Sequence, residues 1–224
     1  MTQQEKQLSE KESLDLITSM IHQARNSYHD SGVVAILWGS LIAFCSLVKL
    51  SEVQYGRWMP FDVYLLTLVA VIPTVFITIR EKRKRRVKTY DDIYLDFLWL
   101  AFGICVFLLM LIINIIFRSW APVAVEYGQL SGQPSSFRFS EFVSPLFLLL
   151  YGLPTFVTGA ACRFRPMLLG GIFCWICCVV TLFSPMKMDL LLTGFSAIVA
   201  WLVPGIIMKR QYRMAKQGLA NADV

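Results

Sequence analysis

Hydrolytic and proton-transfer enzymes need a titratable side chain beside the reacting group, most often a histidine. This chain has two, His22 and His29, both in a polar amino-terminal stretch. No Gly-x-Ser-x-Gly, His-Glu-x-x-His or phosphate-cradling glycine pattern accompanies them. Cys174 and Cys177 have the Cys-x-x-Cys spacing of metal and redox sites. They lie inside an apolar run, however, with no second pair and no histidine nearby. A buried cysteine behaves as a small hydrophobe, so packing is the favoured role for Cys45, Cys105, Cys162, Cys174, Cys177 and Cys178. The sequence reads as a non-enzyme, with no catalytic, metal-binding or cofactor-binding residue.

Polar side chains inside apolar runs are the next place to look for chemistry, since an ionisable group in a membrane is functional by default. Asp96 and Lys49 fall near run ends, from which they can reach water by snorkelling. Asn114 alone lies well inside a run, where an interhelical polar contact is expected. Ion-coupled transport normally requires a buried Asp, Glu or His, and none is expected within a span.

These residues sit in a chain of 224 residues that is 56% hydrophobic and only 16% charged. Soluble domains carry about 25% charged residues. The charges are gathered in short stretches, leaving six apolar runs at about 32–50, 61–79, 93–117, 142–162, 167–184 and 190–208. A run of about 18 apolar residues crosses the hydrocarbon layer as a helix. The runs are continuous rather than alternating, which excludes an outer-membrane barrel. The expected fold is an all-α membrane protein of six transmembrane helices over residues 31–208. Residues 1–30 are expected to form a cytoplasmic amphipathic helix and 209–224 a cytoplasmic tail. Residues 1–30 have no apolar core with a small-residue cleavage site, so no signal peptide is expected.

Orientation follows from lysine and arginine. With the amino terminus inside, sixteen of the 21 basic residues are cytoplasmic and five are outside. Such a bias sets topology and places both termini in the cytoplasm. The densest cluster, Arg80 to Lys88, is a topology determinant expected to rest on anionic lipid headgroups. At about a dozen residues the loop is too short to favour nucleic acid, and no nucleic-acid partner is expected.

Runs two, four and six share a proline: Val71-Ile72-Pro73-Thr74, Gly152-Leu153-Pro154-Thr155 and Leu202-Val203-Pro204-Gly205. Runs one, three and five each carry a tryptophan, Trp38, Trp99 and Trp175. The chain therefore reads as three hairpins, an internal triplication with helix kinks at Pro73, Pro154 and Pro204. Gly170, Cys174, Cys178 and Thr181, with Gly171 beside them, form a small-residue face for close helix approach, as do Gly152 and Gly159.

The amino-terminal stretch has a capping box, Ser9 and Glu12. Leu14, Ile17, Ile21 and Ala24 follow at helical spacing. The opposite face mixes acidic and basic residues, unlike a lipid-adsorbing helix. This apolar face is expected to dock on protein: its own bundle, a second copy in a homo-oligomer, or a separate partner.

Leu14-x-x-Ile17-x-x-Met20-Ile21, Leu37-Trp38-Gly39, Pro154-Thr155 with Gly159, Gly170-Gly171 and Pro204-Gly205 together resemble a group of small bacterial multi-pass membrane proteins. The group has no assigned activity, so the resemblance transfers no functional residue. Some members are encoded beside a small winged-helix transcription regulator, which implies a regulated stress or envelope role. The expected location is the bacterial inner membrane. The expected function is that of a non-enzymatic sensor, regulator or accessory subunit acting by protein interaction. The alternative is a small channel or transporter for an uncharged or hydrophobic solute.

The charge bias makes a direct prediction. An impermeant thiol reagent added outside should modify Gln129→Cys and Ser131→Cys but spare Lys84→Cys and Gln217→Cys. The reverse pattern would invert the topology.

Overall fold

In hydrocarbon a backbone amide finds no water, so an apolar run must satisfy its hydrogen bonds internally as a helix. The computed structural model of the protein describes residues 31–56, 61–84, 90–132 and 139–222. Of these residues 92% are helical, and none is in a strand. Helix α1 covers Val33–Tyr55 and α2 covers Leu66–Lys84, entered through a 3-10 turn at Val63–Leu65. Helix α3 is Tyr90–Ser131, α4 is Val143–Ala161 after a 3-10 turn at Phe139–Phe142, and α5 is Arg165–Thr181. The last run is α6, Met186–Ala197, and α7, Val203–Ala222, joined by a π-turn at Ile198–Leu202. Five of the resulting spans are long and apolar enough to cross a membrane, and the apolar α5 is a shorter 17 residues.

The largest departures from the expected bounds are extensions. Helix α3, expected over 93–117, is 42 residues long. At 1.5 Å per residue that is about 63 Å, roughly twice the thickness of the hydrocarbon layer. Arg118 and Ser119 end the apolar run but do not end the helix, because neither residue breaks one. Helix α7 likewise continues to Ala222 through residues expected to form a tail. Its Lys, Arg, Gln, Met and Ala residues are mostly strong helix formers.

Two classes of helix emerge from the packing. Helices α4 and α5 make the most extensive pair, α1 lies along α6 and the π-turn, and α5 also meets the π-turn. Helix α2 rests on α1, and α3 rests on α4. In the spanning windows of α2 and α3 only 6% of residues are buried, against 50% for the last span. The core is therefore α1, α4, α5 and α6–α7, with α2 and α3 on its flanks. Its centre is Ile42, Tyr151, Cys174, Ala197, Ala200 and Trp201.

Glycine sets how near these helices come. A Cβ on Gly39 would lie 2.5 Å from the Leu202 backbone nitrogen, and one on Gly170 would lie 2.6 Å from the Ala200 Cα. Gly159 and Gly171 meet the backbones of Leu168 and Phe156, while Gly152 receives the Trp175 indole. The small residues of α5 thus serve two partners, with Gly170 turned to the π-turn and Gly171 to α4. Gly32, in left-handed conformation at φ 67°, starts α1 against the carbonyl of Gly205.

The π-turn has a local cause in Pro204. A proline has no amide for the carbonyl four residues back and crowds it sterically. Ala200 is that residue. The turn is widened just upstream, where the Val203 amide donates to the Ile198 carbonyl five residues earlier. Insertions of this type bend helices.

At Gly39 the neighbouring atoms are backbone and cannot step aside. Gly39→Leu is expected to lower stability by at least about 1–3 kcal/mol through overpacking, read as a fall in Tm of the detergent-purified protein. Gly103→Ala, on α3 where nothing lies within 4 Å of a Cβ, should leave Tm unchanged or raise it.

Candidate functional site

A proline inside a helix leaves one carbonyl without its amide, and in a membrane that deficit must be met by a neighbour. Pro73 and Pro154 deprive the carbonyls of Val69 and Leu150 of an amide, and in both helices the residue after the proline adds a hydroxyl to the next carbonyl along. Thr74, next to Pro73, donates its hydroxyl to the Ala70 carbonyl at 2.7 Å, and Thr155, next to Pro154, donates to the Tyr151 carbonyl at 2.7 Å. Each threonine oxygen then accepts an indole N–H from another helix. Trp38 Nε1 donates to Thr74 Oγ1 at 3.0 Å and Trp201 Nε1 to Thr155 Oγ1 at 2.8 Å. Trp175 Nε1 donates to the Leu149 carbonyl at 3.3 Å on α4. Tryptophan is thus the side chain that ties neighbouring elements to α2 and α4.

Trp201 also organises the aromatic centre. Its ring lies 4.9 Å from Tyr151, 6.2 Å from Phe102 and 6.4 Å from Trp99, measured between centroids. Trp99 and Phe102 belong to α3, so this cluster is where the long helix meets the core. Edge-to-face pairs of this kind contribute about 0.5–1.5 kcal/mol each beyond burial.

A second polar feature lies at the Pro185 end of the bundle. Asp189, in the first turn of α6, is 1% exposed, and neither carboxyl oxygen meets a hydrogen-bond donor. Thr193 and Ser196 follow on the same face, both buried. Across from them on α1, Ser46 lies against Gly194 and shares a 3.2 Å hydrogen bond with Tyr64. A helix amino terminus stabilises a nearby anion by about 0.3–1 kcal/mol when exposed and about 2 kcal/mol when partly buried. Removing a carboxylate from water costs several kcal/mol even after relaxation. The desolvation term is the larger one.

At the same end an open groove of about 560 Å³ runs between α4 and α5, lined by Phe139, Phe142, Pro145, Leu146, Leu149, Cys178 and Leu182. Its walls are apolar, suited to an alkyl chain rather than a polar solute.

The residues singled out from sequence fall in unequal places. Pro154 and Pro204 are buried, whereas Pro73 is exposed on the flanking α2. Asn114 is exposed on α3, away from the core helices. Of the basic cluster, Arg80 and Arg83 are exposed at the end of α2, and Arg85 to Lys88 lie outside the described residues. So do Leu14, Ile17, Ile21 and Ala24. The cysteines carry free thiols, with Cys45 and Cys178 directed at the carbonyls of Val63 and Pro145. Among the described residues no group of three His, Cys, Asp or Glu could hold a metal ion.

Sequence reasoning missed Trp201 and Asp189. Asp189 falls one residue before the sixth apolar run, which the sequence places at about 190–208. The signal that could have found it is Pro185, a residue that favours helix starts and would have drawn Asp189 into the span. Comparison with protein-family models, with curated proteins and with solved structures finds no match for this chain.

Thr155→Val keeps the shape and leaves the buried Trp201 N–H without its acceptor. The expected cost is about 1–3 kcal/mol, measured by thermal unfolding followed through tryptophan fluorescence. Thr155→Ser should restore most of it. Thr74→Val should cost less, because Trp38 is only half-buried.

Proposed function

We propose that the chain is a non-enzymatic multi-pass protein of the bacterial cytoplasmic membrane, with both termini in the cytoplasm, that works as a sensor, regulator or accessory subunit through protein contacts. The observation that carries this reading is the closure of the core. Gly39, Gly159, Gly170 and Gly171 bring backbone against neighbouring helix backbone, which leaves no room for a solute path along those seams. Helices α2 and α3 meanwhile keep nearly all of their surface free for lipid or for other helices. The exposed Arg80 and Arg83 at the end of α2 agree with a cytoplasmic rim resting on anionic headgroups. The internal triplication is the finer part of the proposal. The Pro-Thr pair of α2, which holds Trp38 of the same hairpin, supports it for the first hairpin. Thr155 of α4 holds Trp201 of the last run rather than Trp99, and Pro204-Gly205 has no threonine.

The apolar groove between α4 and α5 favours a second reading, a carrier for a hydrophobic solute. Two measurements separate these. Proteoliposomes holding the purified chain should be no more permeable to small uncharged solutes than empty vesicles, and saturable flux would replace the first reading with the second. In native membranes, hydrogen exchange over residues 10–28 should be slow and should accelerate in the double variant Ile17→Asp, Ile21→Asp. Fast exchange in the unaltered protein, with every candidate partner present, would remove the case for docking through that segment.

A further inference from the structure

Most polar side chains inside this bundle have an evident employment. Thr155 serves Trp201, Thr74 serves Trp38, and Thr193 donates to the backbone carbonyl of Asp189 at 2.8 Å. Among the described residues the hydroxyls of Thr158 and Ser196 and one oxygen of Glu52 are buried without a partner. Only the Asp189 carboxyl, which is fully enclosed and heads the buried Asp189, Thr193, Ser196 face of α6, has both oxygens without a hydrogen bond among those residues. Among the described residues two cations at that end are committed elsewhere, and Arg118 is exposed on α3. Lys49 on α1 pairs with Glu52 at 3.0 Å and reaches Asp62 at 3.9 Å, while Lys187 donates to Gln54 at 2.8 Å. The 3-10 turn ahead of α4 contributes Glu141, a further acid rather than a cation. The other titratable groups on the elements around α6 include Cys45 on α1, Tyr64 on the 3-10 turn beside it, Tyr151 on α4, and Cys174, Cys177 and Cys178 on α5, none of them a cation; Arg165 begins α5 at its opposite end.

Among the described residues a carboxylate so placed has neither a hydrogen-bond donor nor a paired cation to stabilise it, whereas the carboxylic acid needs neither. No set of neighbouring acidic, histidine or cysteine ligands among the described residues provides for a metal ion instead. We propose that Asp189 is a proton-binding site built into the bundle and loaded from the Pro185 end. The reaction is the exchange of one proton between the carboxylic acid and water at that rim, with no bond other than O–H made or broken. The distance is short, since Asp189 lies in the first turn of α6, beside the rim where Lys187 meets Gln54. This site does not depend on the interaction reading above, and its test reads Asp189 alone.

The test uses the full chain in phosphatidylcholine vesicles treated with dicyclohexylcarbodiimide, an apolar reagent that attacks protonated carboxyls buried from water. Adducts are located by peptide mass spectrometry. The expected result is an adduct on Asp189 at acid pH that falls about tenfold per pH unit above the titration midpoint. It should be the same in sodium, potassium or choline chloride, and the corresponding peptide of Asp189→Asn should carry none. Absence of the Asp189 adduct at every pH would overturn the proposal. So would protection by sodium at fixed pH, which would mean that the carboxylate holds a metal cation rather than a proton.

Discussion

The arrangement of the bundle turns on the approach of other backbones to the π-turn at Ile198–Leu202. Gly39 of α1 faces Leu202 and Gly170 of α5 faces Ala200, both at distances that no side chain could occupy. Thr155 of α4 holds Trp201 between them in sequence. Three helices are therefore indexed to one turn of a fourth. That turn is itself a response to Pro204, which cannot be accommodated in an unbroken α-helix without losing a bond and creating a clash. Helix association in lipid gains little from hydrophobicity and depends on close packing and polar contacts. Here both are concentrated on the same five residues.

The polar contacts follow one economy. In α2 and α4 a threonine directly after the proline adds a hydroxyl to the carbonyl beside the one that the proline leaves without an amide. The indole that finds the threonine then joins two helices with a single hydrogen bond. Its ring supplies apolar area on both sides. Tryptophan suits this task because it buries a large surface and has only a donor to satisfy. In α3 the same aromatic logic acts without a hydrogen bond to the core: Trp99 and Phe102 dock against Trp201 and Tyr151.

Much of this was legible from the amino-acid sequence. The six runs became helices because uninterrupted apolar stretches leave a chain in lipid no other way to pair its backbone. Gly152, Gly159, Gly170 and Gly171 were recognisable as contact faces from their spacing alone. What stayed hidden depends on which face meets which neighbour. Nothing local distinguishes Gly170 from Gly171, yet one abuts the π-turn and the other α4. Pro73 and Pro154 share the motif Pro-Thr, but burial separates them, because α2 flanks the core and α4 forms it. The ends of α3 and α7 were misplaced for a simple reason. Hydropathy marks where lipid stops, and residues such as Arg118, Ser119 and Lys209 stop an apolar run without stopping a helix. Asp189 was lost at the same kind of border, a polar residue adjacent to a run that the third dimension encloses.

The length of α3 has a consequence of its own. Its apolar portion, Ile93 to Phe117, matches the thickness of a bilayer, while residues 118–131 continue as helix with Val123, Val125, Tyr127 and Leu130 exposed. This extension mixes those apolar side chains with Arg118 and Glu126, so the helix has no single boundary at which to stop sinking. In a thin bilayer those side chains stand in water, and in a thicker one they enter the lipid, at a cost of a fraction of a kcal/mol per Å of mismatch. Because α3 is held to the core mainly along α4, its tilt can follow that balance while the glycine-locked helices keep their geometry.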